Sequence, residues 1–80
     1  MLTIDDTIQA CQGMQLVAKN VLETLQQKPE LMKSIYYSEF VERVYMATRQ
    51  AVIISAITGD RQTAQFTADI CDSLGKIADL

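Results

Sequence analysis

One proline and three glycines are the only strong conformational breaks in this chain, and they leave long stretches uninterrupted. In Gln27-Lys28-Pro29-Glu30, the proline suits the first turn of a new helix and biases Lys28 away from helical angles, so one helix ends there. Gly59 comes after a long apolar run and serves as a C-terminal stop, with Asp60 placed to cap the next helix. Ala, Leu, Gln, Glu and Met are plentiful in the intervals, and all favour helix. The chain is therefore expected to be all-α: a small bundle of three long helices and one short one, at about 4–27, 30–36, 39–58 and 61–79. Eighty residues hold one core, so residues 1–80 form a single domain. A domain of this size is thermodynamically marginal unless well packed or oligomeric.

The apolar pattern gives each helix a face. Thr3 can cap the first helix, and Asp6 stands at its third position as in a capping box. Ile4, Ile8, Cys11, Ala18, Leu22 and Leu25 then form a narrow stripe at about 100° per residue, which Ala10, Met14, Val17 and Val21 widen. Leu16 lies opposite. Gly13 is either a weak point in mid-helix or a place where another helix comes close. On the short second helix Leu31, Ile35 and Met32 are expected to turn inward, and Ser38 is expected to cap the third. The fourth helix puts Ala64, Thr67, Ala68, Ile70, Cys71, Leu74, Ile77 and Ala78 on one side, with Arg61, Gln65, Asp69, Asp72, Lys76 and Asp79 on the other. Its small residues Ala64, Ala68, Cys71 and Gly75 allow a close neighbour. The short Gly59-Asp60 link predicts an antiparallel hairpin between the last two helices.

Residues 36–60 carry more apolar surface than a simple bundle needs. Phe40, Val41, Val44, Tyr45, Ala47, Thr48, Ala51, Val52, Ile54 and Ser55 form a broad arc expected to be core. The β-branched residues of Ala51-Val52-Ile53-Ile54-Ser55-Ala56-Ile57 would also suit a strand, but no second strand exists to pair with it. On the opposite side Glu39, Glu42, Arg43, Arg49 and Gln50 belong in solvent, with Glu39 and Arg43 at ion-pair spacing. Yet Met46, Ile53 and Ile57 share that side, at i, i+7 and i+11. Either the short second helix or the N-terminal turn folds over this seam, or the seam is a self-association or partner surface, because monomers rarely leave such patches bare. Flanking Arg43 and Arg49 would supply a polar rim. Adjacent Tyr36 and Tyr37 point about 100° apart, so one is expected inside and the other exposed as a contact residue.

Little else in the sequence carries chemistry. With no histidine, the Ser-His-Asp, Cys-His and usual zinc arrangements are out, and no catalytic, metal or cofactor-binding residue is assigned. The carboxylate pairs Asp5/Asp6, Glu39/Glu42 and Asp69/Asp72 read as helix-dipole acids or solvated faces. Cys11 and Cys71 read as two reduced core thiols, the alternative being one disulfide between terminal helices. The net charge of −3 argues against nucleic acid. A helix-turn-helix would place Glu39 and Glu42 at the start of its recognition helix, the wrong charge there. No basic segment opens the chain and no apolar run is long enough for a membrane, so a cytoplasmic protein of a bacterium or a virus-infected cell is expected.

The functional expectation is a small non-enzymatic protein–protein interaction module: an adaptor, an assembly or secretion chaperone, or an inhibitor that occludes a larger protein. Its partner is another protein or itself, as a homodimer, through Tyr36, Tyr37, Arg43, Met46, Arg49, Ile53 and Ile57. The alternative is a DNA-associated regulator whose dimer gathers Lys19, Lys28, Lys33, Arg43 and Arg49 onto one face.

Overall fold

The computed structural model describes residues 3–80, in which α1 (Ile4–Gln27), α2 (Ile35–Ile57) and α3 (Arg61–Ala78) pack as an up-down-up bundle with a 3-10 turn (Pro29–Lys33) between the first two. Each helix starts where a side chain can accept from the orphan backbone N–H groups of its first turn. At α1 the capping box forms: Asp6 N–H donates to the Thr3 hydroxyl at 3.1 Å, and Thr3 N–H donates to the Asp6 carboxylate at 3.0 Å. At α3 the Thr63 N–H donates to Asp60 at 3.1 Å. Hydrogen bonds from Thr63 hold the Asp60 carboxyl below its ordinary pKa.

The middle of the chain departs from expectation. The segment expected as a helix over 30–36 is a single 3-10 turn, and α2 begins at Ile35 rather than near residue 39. Its cap is Ser34, which sits in extended backbone and accepts from Tyr37 N–H at 3.4 Å. Ser38, expected as the cap, is instead inside the helix and donates its backbone N–H to the Ser34 carbonyl. The extra turn moves Ile35 to the outside of α2, whereas Leu31 and Met32 pack on the core as expected.

That core is asymmetric along the bundle. At one end Leu25 of α1, Val41 and Val44 of α2, and Leu74 of α3 interlock, with Tyr37 and Tyr45 closing over them. Toward the other end the buried side chains are small or polar: Cys11, Thr48, Ala51, Ser55, Thr67 and Cys71. The α2–α3 hairpin forms as the short Gly59-Asp60 link predicts, and Gly59 adopts φ 86°, the left-handed conformation that glycine takes without strain. Its register brings Gly75 against Tyr45; a Cβ on residue 75 would stand 2.8 Å from the ring edge. A side chain there would have to push Tyr45 aside, so the small-residue stripe on α3 does permit a close neighbour.

Gly13 resolves the other way. No atom of another segment lies within 4 Å of where its Cβ would be, so it is a weak point of an exposed helix and not a point of close approach within the chain. Gly13→Ala is expected to stabilise the protein by about 0.5–1 kcal/mol, because alanine loses less backbone entropy in a helix. A thermal melt should rise by about 3–6 °C; a fall would mean that the α1 surface is occupied at this point.

Candidate functional site

On α2 the face turned away from α1 carries the seam, and its Ile53 also lines a groove shared with Ala68, Cys71 and Asp72 of α3. Met46 is 59% exposed, Ile53 50% and Ile57 78%, and at 100° per residue all three fall within about 40° of one another. Among the described residues, neither the 3-10 turn nor the start of α1 covers them. Helix α2 is thus not buried all round, which was the other arrangement open to the sequence. Ile35 lies on the same line and is 67% exposed. Tyr37 turns toward the core, its ring centroid 5.7 Å from that of Phe40, while Tyr36 stands in solvent. Arg43 is exposed; the Arg49 guanidinium lies 5.9 Å from the centroid of the Tyr45 ring, a cation–π contact on the flank toward α3.

Several residues expected in the core are bare. Phe40 and Ala47 are exposed, and Ile54 is 37% exposed, so the arc of α2 that faces α1 is only partly covered. On α1 Ile4, Ala10 and Val17 are likewise exposed. For Ala10, Ala47 and Ile54 the reason is a mismatch in size: the small side chains of Ala10, Cys11, Ala47 and Ala51 face one another and, with Met14 and Ile54, line a trough of about 380 Å³ between the two helices. Periodicity alone marks such residues as apolar and says nothing of how closely the neighbouring helix approaches. This trough lies to one side of the seam, Ile54 standing about 60° round the helix from Ile57, and it was not visible in the sequence.

Of the two thiols, neither is in a disulfide. Burial pushes the Cys71 thiol up, the Asp72 carboxylate adds to this, and Arg49 opposes it. Its sulfur donates weakly to the Tyr45 carbonyl at 3.9 Å. A buried thiol held as S–H is a poor nucleophile, and here it acts as packing. Among the described residues no cluster of His, Cys, Asp or Glu could hold a metal ion, and no helix is long and apolar enough to cross a membrane. The cations that a DNA-binding face would need are dispersed within one chain: Lys19 lines a groove between α1 and α3, Arg49 one between α2 and α3. Compared with family models, with curated proteins and with solved structures, the chain matches none.

Proposed function

We propose that this protein is a non-enzymatic protein–protein interaction module, of the adaptor, assembly-chaperone or inhibitor kind, whose contact surface is the outer face of α2. The observation that carries the reading is the row Met46, Ile53 and Ile57, each at least half exposed on one line of α2, opposite its buried residues Val44, Ala51 and Ser55. Apolar surface left bare forgoes about 25 cal/mol per Å², and a partner that covers it recovers that free energy. Methionine adapts to partner shape, while the exposed Tyr36, Arg43 and Arg49 are of the residue types enriched in contact patches, and Tyr37, turned to the core, drops out of the surface. A cytoplasmic setting goes with this reading, because there two unpaired cysteines stay reduced.

Ile53→Asp tests it. The substitution places a charge in the middle of the seam without entering the core, so helix content and cooperative melting should persist by circular dichroism. Partner capture by the immobilised protein should fall at least about tenfold relative to wild type, as expected when a charge enters an apolar contact. Equal capture by both proteins would remove α2 as the contact surface. An unfolded variant would show that Ile53 belongs to the core.

A further inference from the structure

We propose that the outer face of α2 pairs with a second copy of itself, antiparallel, about a two-fold axis near residue 44. This rests on the interaction reading above and names the partner. Six outward residues, Ile35, Glu39, Glu42, Met46, Arg49 and Ile53, succeed one another at spacings of four, three, four, three and four, and all six are exposed. That is the 3.5-residue period with which one helix lies along another. The stripe is about 27 Å long at 1.5 Å per residue, and it fits within the 39 Å long axis of the molecule.

Set against its own reverse, this stripe is complementary. Ile35 meets Ile53 of the second copy at both ends, Glu39 meets Arg49 twice, and Glu42 meets Met46 beside the axis. Opposite charges on such positions fix both orientation and register. A parallel pair would set Glu39, Glu42 and Arg49 each against its own like charge. Sliding the antiparallel pair by one heptad puts Glu39 against Glu42 in one direction, and in the other leaves Ile53 facing Glu42 with no ion pair. This alignment alone pairs both Ile35 with Ile53 and Glu39 with Arg49, and it sets Glu42 beside Met46 at the centre.

The surface area agrees with a missing second copy. A compact monomer of this mass exposes about 4,800 Å² by the usual scaling, whereas this chain exposes 5622 Å². The surplus of about 800 Å² is drawn from the whole surface, the α1/α2 trough included, and is of the size one partner buries in an interface of standard size. The radius of gyration points the same way, at 12.9 Å against about 11.6 Å for a compact chain of this length. Exposed Ile57 stands about 40° round the helix from Ile35 and would come under the second copy's edge.

Size-exclusion chromatography with light scattering, run over a wide concentration range, tests the pairing. Wild type should elute at twice the 8.9 kDa chain mass. Glu39→Arg and Arg49→Glu each set like charges together twice in the pair, and each should raise the dissociation constant about tenfold or more. Mixing the two single variants restores both ion pairs, so the mixture should dimerise within about threefold of wild type. The double variant should do the same alone. All these positions are exposed, so circular dichroism should show no change in helix content. A dimer indifferent to the reversals, or single variants not rescued by mixing, overturns the register. A monomer at every concentration that still captures a partner through Ile53 overturns self-pairing and leaves the interaction reading in place. A monomer that captures nothing overturns both.

Discussion

Leu74→Asp is expected to unfold the protein, and Ile54→Asp to leave it folded. Leu74 is completely buried on α3, in the cluster that joins Leu25, Val41 and Val44. Aspartate there would lose the transfer free energy of the leucine, leave a cavity, and bury a carboxylate with no cation beside it. The first two terms cost about 2–5 kcal/mol together, and the unpaired charge adds several more unless it takes up a proton. A domain of this length has only about 4–12 kcal/mol of stability in all. The sum therefore exceeds or consumes the reserve, and far-UV circular dichroism should show loss of helix at 25 °C. The place of Ile54 in the apolar arc of α2 predicts the same for its substitution, but the structure reverses that expectation. At 37% exposure its carboxylate can reach water from the α1/α2 trough, so a cooperative melt should survive at lower temperature. If Leu74→Asp melts like wild type, α3 is not docked through this face. If Ile54→Asp is unfolded, the trough is closed in solution by more than these helices.

The contrast between these two residues shows what was legible in the sequence. Helix limits were, wherever one local interaction decides them: Thr3 with Asp6, Pro29, and Gly59 with Asp60 all act where the pattern places them. The start of α2 was not, because Ser34 and Ser38 are both competent caps. The choice fell to Ser34, whose hydroxyl receives the Tyr37 N–H. That four-residue difference turns Ile35 outward and extends the outer stripe by a full turn. Burial was legible for residues at the centre of each apolar arc, such as Leu25, Val44 and Leu74. It failed at the edges, for Phe40, Ala47 and Ile54, because edge exposure depends on the bulk of the helix opposite. The placing of Met46, Ile53 and Ile57 opposite the core arc came from angle alone, whereas whether another segment folds over them was left open by spacing. What the seam binds depends on a surface outside this chain's own core and could not be read from spacing.

Replacing two buried hydroxyls should raise stability by more than any surface change. Ser55 and Thr67 are almost fully buried on the inner faces of α2 and α3, and neither hydroxyl has a hydrogen-bond partner. Thr48, equally buried, avoids this by donating to the Val44 carbonyl at 2.6 Å. An orphan hydroxyl gives up its bonds to water and gains none, at about 1–3 kcal/mol each. Thr67→Val preserves shape while removing the polar atom, and Ser55→Ala does the same with a gain in helix propensity. Together they should add about 2–4 kcal/mol if the two sites act independently, seen as a melting temperature higher by about 10 °C or more. Thr48→Val is the control: it removes a satisfied bond and should give no such gain. An unchanged or lower melting temperature for the pair would mean that water enters this end of the bundle and bonds both hydroxyls. The small-residue end would then be a hydrated interior, softer than the leucine-packed end. A gain of the expected size would mean that the end is dry and that its polarity weakens the fold. In that case the isolated bundle sits further below its attainable stability, and burial of the α2 face in a complex has more to contribute to holding it together.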